Sequence, residues 1–542
     1  MSPKKLHHSN ILTMPEQISC SPAAWYSMNE YWPRDKRAEV SMRMNDALNA
    51  GSILHNFCAG RENPLLYDAA VLSEISSGIF KKESVDMQTT AEKDALRNYF
   101  WLQKMPDDNR DYICALLVNR IQIKDFWQKQ TKDLYADNTE INQLLNRPLT
   151  DTTTINDKSV WDNPVHLVDV NKTFDLLERG VKLDSFLIRS AQNLAWIRGR
   201  SADVDNIDTS VRMLRKIAET ESLLAPAMEV IGFHKMAMAL NDICMRIRLY
   251  NSGNGWAVTA AQEFTEQLPS GEALNQTAGK IIKDLFGENY HEDVTRLSDP
   301  KMFMREGAIE PDTMLGEILR LILREKSIGS LARKLYEYHL LGIKGLPMDV
   351  LGATILAEDE EQIPQLFSRA LLGVASDPNY QLHPSPSRQH AIHVQGSKEF
   401  CDRLPIGAIR KIAGSDWQPV SNKDFQVAKI TFFYNGLPCE VQIITETGRV
   451  ENNLGERTSH VIYHVKRSAK IRSLKNGGAI ETGLDVDTTG WGEMLRQIHA
   501  GRDQVGQVVI DEHTKSLAGI FTNALRSSSL GMGRIADKLR NY

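Results

Sequence analysis

The stretch "REKSIGSLARKL", Arg324–Leu335, carries four cations in twelve residues. Lys326, Ser330 and Lys334 fall at i, i+4 and i+8, so on a helix they share one face, with Arg333 beside them. Cations and a hydroxyl aimed the same way can neutralise a polyphosphate and donate to it. A solvated basic face would show the same pattern. The segments that follow favour the first reading. "DVLGATILA" (349–357) is a short apolar run bounded by a proline and acids, which predicts a buried strand opened by Asp349. A carboxylate at a strand end serves as a cap, and equally as a ligand for Mg²⁺, which takes few protein carboxylates and shares substrate phosphates.

A second acid lies in "CEVQIIT" (439–445). Strand alternation puts Glu440, Gln442 and Ile444 on one face and Val441, Ile443 and Thr445 on the other. Asp349 and Glu440 together offer a two-carboxylate metal site beside a cationic helix, the apparatus of phosphoryl-type transfer.

Working outward, the bulk numbers are those of an ordinary globular chain. It has 542 residues, 42 % hydrophobic and 25 % charged, with net charge −5 and pI near 6.3. No global basic field points to nucleic acid, so any anion site is local. Six cysteines, Cys20, Cys58, Cys114, Cys244, Cys401 and Cys439, form no CxxC pair. That spacing predicts a reducing compartment, and no apolar leader or spanning segment is visible, so a cytoplasmic protein without membrane contact is expected.

Apolar residues recur at three and four in "AAVLSEISSGIF" (69–80), "DYICALLVNRIQIKDFW" (111–127), "FLIRSAQNLAWIRG" (186–199), 210–233 (interrupted near Pro226) and 234–250, which predicts a helical region over 1–250. A turn cluster, "NSGNGW" (251–256), opens a helical linker over 251–314, whose pattern runs on through "MLGEILRLILREK" (314–326). Mixed strand and helix patterns then predict an α+β domain over 315–470. Within it, "QVAKITFFYNGLPCEVQIIT" (426–445) is two strand-like runs joined at Asn435-Gly436, a hairpin signal. Residues 471–542 form a short extension with a helix near 514–540. His7-His8, His383 and His390 read as tail or loop, and "AEDEEQ" (357–362) as a solvated acidic turn.

These motifs, in this order, resemble the synthetase domain of the RelA/SpoT alarmone enzymes. Arg324, Lys326, Ser330 and Lys334 fill that family's R-x-K-x-x-x-S-x-x-x-K pattern. "DVLGAT" stands for D-L-x-x-x-R with Asp349 kept, and "EVQIIT" for E-[IV]-Q-I-R-T with Glu440 and Gln442 kept. "TSHVIYHVK" (458–466) is similar to A-A-H-W-x-Y-K, with His460 and Tyr463 kept. "PSPSRQHAIH" (384–393) aligns with the acceptor motif P-K-x-N-G-Y-x-S-I-H and keeps Pro384, Ile392 and His393, but Arg388-Gln389 replaces Gly-Tyr. The two strand arginines become Thr354 and Ile444.

The helical half is similar to the same enzymes. Glu219, Thr220, Ala225, Pro226, Gly232, Leu240 and Asp242 match a family motif, while the hydrolase's metal-binding positions read Val118-Asn119, Gln192 and Ala195-Trp196.

The resemblance implies a degenerate HD-hydrolase-like helical domain followed by a mixed-sheet, nucleotidyltransferase-like synthetase domain. It implies Mg²⁺ on Asp349 and Glu440, and ATP held by Arg324, Lys326, Ser330, Arg333 and Lys334. The acceptor, GDP or GTP, would be oriented by Arg388, Gln389, His393, Gln442, His460 and Tyr463. The family's guanine-stacking tyrosine is replaced, so another acceptor, including an RNA 3′ end, stays open, as does a catalytically silent nucleotide-sensing or partner-binding protein. With about 70 residues after 470, ribosome-dependent control is not expected.

Overall fold

The structure, a computed structural model, describes residues 107–130, 139–147, 152–162, 181–201, 207–286, 289–292, 304–310, 319–382 and 391–448 with short gaps, and isolated positions elsewhere. The sequence-based readings at Arg388, Gln389, His460 and Tyr463, and the helix near 514–540, fall outside these residues.

In chain order the helices are α1 (Asp107–Gln130), α2 (Thr139–Asn146), α3 (Lys158–Asp162), α4 (Leu183–Arg198), α5 (Val211–Glu219), α6 (Ala225–Ile231), α7 (His234–Asn251), α8 (Trp256–Glu266), α9 (Glu272–Phe286), α10 (Ile328–Leu340), α11 (Gln362–Ser376), α12 (Lys398–Asp402) and α13 (Ile406–Ala413). A π-helical turn, Thr220–Leu224, joins α5 to α6 just before Pro226, which has no N–H to continue the ladder. The strands are β1 (Asn289–Glu292), β2 (Met304–Glu310), β3 (Leu319–Glu325), β4 (Leu351–Ala357), β5 (Tyr380–Leu382), β6 (Ile392–Gly396), β7 (Val420–Ser421), β8 (Val427–Tyr434) and β9 (Leu437–Thr445). The chain is thus mixed α+β. Among the described residues no helix is long and apolar enough to cross a membrane.

Two compact units emerge. One contains α1 up to residue 129 together with α4. There Arg120 donates to the Oε1 of Gln192 at 2.9 Å, and both side chains are buried. The other unit holds the nine-stranded sheet, ordered β1-β2-β3-β4-β9-β8-β6-β7 with β5 also on β8. β4 and β9 run parallel, and β9-β8 is an antiparallel hairpin. The hairpin turns at Asn435 (φ 47°) and Gly436 (φ 85°), the left-handed pair that a two-residue loop needs.

Alternation sets the core. Leu351, Ala353 and Ile355 of β4, Cys439, Val441 and Ile443 of β9, and Ala428, Ile430 and Phe432 of β8 all bury against α9, α11, α12 and α13. Helix α10 is separate from that core. Its Leu331, Ala332 and Tyr336 pack with α7, α8 and Val350.

Two readings are corrected. The segment 314–326, expected as a helix, forms strand β3 over Leu319–Glu325, and β1 and β2 lie inside the expected helical linker. "LRLILRE" fits both helical and strand periods; pairing with β2 on one side and β4 on the other settles it. The helix therefore starts later than expected, at Ile328, with Ser327 as its N-cap accepting from the Ser330 N–H. Arg324 belongs to β3, and Lys326 precedes the cap.

The α10 N-terminus lies so close to α7 that only glycine fits at 329. The Gly329 N–H donates to Asp242 Oδ1 at 2.5 Å, and a Cβ there would stand 2.5 Å from the Asp242 carbonyl oxygen. Gly329→Ala is expected to cost about 1–3 kcal/mol through this overlap, read as a lowered urea midpoint with an unchanged slope. An unchanged midpoint would show that α10 is free to move off α7.

Candidate functional site

The turn from β3 into α10 brings together groups that are distant in sequence. The Lys326 N–H donates to the Val350 carbonyl at 2.8 Å, tying the turn to the residue after Asp349. The Lys326 ammonium then reaches Asp349 Oδ2, and the Lys334 ammonium reaches Asp349 Oδ1 at 2.5 Å. The three side chains are 10 % (Lys326), 15 % (Asp349) and 21 % (Lys334) exposed, so water screens the cluster weakly. Burial alone would push the Asp349 carboxyl up. The two ammonium groups overturn that and hold it well below the usual carboxylate range. Ser330 and Arg333 are half-buried on the same helix. The Ser330 hydroxyl accepts from the Ser327 hydroxyl at 3.1 Å, so it serves the cap, and its own proton remains to donate.

Asp349 stands three residues before Gly352, and Gly352 is the register partner of Glu440 on β9. The strand register aligns two rows across the sheet, whose β4, β9 and β8 members lie on the face turned away from the main core. Arg324, Gly352, Glu440 and Thr431 are successive register partners on β3, β4, β9 and β8. Two residues along, Ile322, Thr354, Gln442, Lys429 and His393 form the next row, ending on β6. Gly352 presents bare backbone between Arg324 and Glu440. Glu440, Gln442 and Lys429 are half-buried, and among the described residues their side chains make no hydrogen bond or ion pair. The Thr431 hydroxyl, by contrast, donates to the Ala391 carbonyl at 3.2 Å. Beyond these rows an apolar cluster of Leu356, Val427 and Ile444 closes the face.

The expected alternation of Glu440 and Gln442 against Val441 and Ile443 is what β9 displays. The acceptor segment ends at His393 on β6, which is separated from β9 by β8. Sequence reasoning missed Lys429. Its signal is a lysine in "VAKITFFY", alternating with four residues that face the core.

Mg²⁺ takes hard oxygen donors; of the two acids expected to hold it, Asp349 is bound by two lysines and Glu440 is half-buried on β9. The lysines engage both oxygens of Asp349, so a cation at that carboxylate would compete with two ammonium groups. Mg²⁺ needs only one or two protein carboxylates; among the described residues no cluster of three or more His, Cys, Asp or Glu forms. At the positions compared with a hydrolase metal site, Val118 and Ala195 are buried and apolar, and Gln192 is bonded to a cation.

Because folding lowers the Asp349 pKa, the unfolded chain takes up the proton first on acidification. The stabilisation is complete above the unfolded value near ~4 and is lost as pH falls below it. Asp349→Asn is expected to cost about 2–4 kcal/mol at pH 7, since two sparsely hydrated ammonium groups lose their counter-charge. The gap to wild type should narrow as pH falls below that value. Urea midpoints for both proteins across an acid titration test this, and a gap that stays constant rules out an ionised pair.

No protein-family model matches this chain, and no curated protein matches it.

Proposed function

We propose that the chain is a pyrophosphokinase that transfers the terminal pyrophosphate of ATP to the 3′-hydroxyl of GDP or GTP, giving ppGpp or pppGpp and AMP. The observation that carries this reading is the Lys326–Asp349–Lys334 cluster just before β4, the strand whose Gly352 is the register partner of Glu440; Glu440 and Gln442 have no partner among the described residues. It combines with the resemblance to RelA/SpoT synthetases and their degenerate hydrolase-like half.

In this mechanism Arg324, Lys326, Arg333 and Lys334 neutralise the triphosphate, and the Ser330 hydroxyl donates to it. Glu440 accepts the proton of the 3′-hydroxyl as its oxygen attacks the β-phosphorus. The bond from the β-phosphorus to the α–β bridging oxygen breaks, and AMP leaves with that oxygen. Gln442 and His460 orient the reacting groups. Asp349 and Glu440 would hold Mg²⁺, which would supply charge neutralisation on the phosphates. The lysines that grip Asp349 are the same groups that would meet the triphosphate, so substrate offers them a competing anion.

That grip also favours a second reading, a silent nucleotide-binding protein in which Asp349 stays locked to its lysines.

Thin-layer separation of products from labelled ATP with GDP, with GTP and without acceptor distinguishes the two. AMP and a 3′-pyrophosphorylated nucleotide are expected. Asp349→Asn and Glu440→Gln, checked for folding by circular dichroism, should each lower AMP release by about 10²-fold or more. Nucleotide binding without any product would establish the silent reading; full turnover in either variant would remove that acid from the mechanism.

A further inference from the structure

Lys429 lies in the middle of β8, between Gln442 of β9 and His393 of β6. Its strand neighbours Ala428 and Ile430 are buried in the main core, so alternation turns Lys429 to the polar face. The side chain is half-buried, yet among the described residues it has no carboxylate partner. A half-buried lysine without a counter-ion sacrifices part of its hydration. Glu440 is its diagonal neighbour across the β8–β9 pair, roughly 7–8 Å away between backbones; the two side chains form no ion pair among the described residues, and the separation is within the length of one nucleotide. The face thus presents a proton acceptor at one point and a cation one row along. Its apolar end at Leu356, Val427 and Ile444 limits how far a ligand extends.

We infer that Lys429 anchors a terminal phosphate of the acceptor while the acceptor's hydroxyl lies at Glu440. This rests on the transferase reading above. The acceptor is accordingly a nucleoside di- or triphosphate, selected over a neutral nucleoside and over an RNA 3′ end, which has no terminal phosphate at the corresponding place. Lys429 is a specificity residue that touches the acceptor's phosphate and leaves ATP alone.

The test uses the full chain and the variants Lys429→Met, which keeps the apolar stem, and Lys429→Arg, which restores the charge. Initial rates are measured with GDP, guanosine and a short RNA as acceptors, and labelled GDP binding is measured by equilibrium dialysis without ATP. Loss of one charge-assisted contact should raise the KM and Kd for GDP about 10- to 100-fold in Lys429→Met. The KM for ATP and the rate with guanosine should stay within about two-fold, and Lys429→Arg should recover most of the GDP affinity. Equal losses for GDP and guanosine, a raised KM for ATP, or RNA used as well as GDP each overturn the anchor. Normal turnover with unaltered GDP kinetics in Lys429→Met removes the anchor and leaves the transferase standing. Absent turnover with GDP binding that depends on Lys429 does the reverse.

Discussion

One carboxylate shared by two ammonium groups organises the sheet unit. Asp349 lies two residues before β4, Lys326 follows β3 directly, and Lys334 sits two turns from the cap of α10. Three elements are therefore pinned at a single low-dielectric point, where a charge left alone would be costly. The pin has consequences beyond stability. It holds two cations and one anion, each sparsely hydrated. Such an arrangement is weak as a source of net stability, because ion desolvation offsets much of the attraction. What it does provide is fixed direction: the fold itself holds these sparsely hydrated groups in place.

The sheet divides its labours by face. Cys439, Val441, Ile443 and their neighbours bury against helices, while Glu440, Gln442 and Lys429 occupy the opposite side of the same strands. Polar side chains on central strands, half-buried and without partners among the described residues, are unusual for a face built only to be solvated. Helix α10 adds to this geometry by docking on α7 and α8 through Leu331, Ala332 and Tyr336, which leaves Lys334 directed at Asp349. Its approach to α7 is fixed by Gly329 and the Asp242 carboxylate, so the cationic helix is placed by a steric requirement as well as by apolar packing.

Several elements were legible in the residues alone. The Asn435-Gly436 turn and the alternation of "VAKITFFY" and "LPCEVQIIT" specify the hairpin, because positive φ and period two leave few alternatives. Strand β4, the α10 helix and the long helices α1, α4 and α7 also follow from periodicity. Other elements were not legible. "LRLILRE" satisfies both periods, and hydrogen bonding to β2 and β4 decides it. The placement of His393 one strand away from β9 depends on β8 inserting between them, a matter of strand order on which local pattern is silent.

From its sequence alone the chain determines the alternation along β8 and β9, where the hairpin turns, and the order in which its cations and acids recur. Periodicity and turn chemistry are local properties, so they survive without knowledge of neighbours. Only the tertiary structure decides that Lys326 lies outside the helix and still meets Lys334 on Asp349, that Gly352 stands beside Glu440, and that Lys429 shares their face. Those relations depend on strand order, register and the docking of α10, which long-range burial and hydrogen bonding select and no single segment encodes.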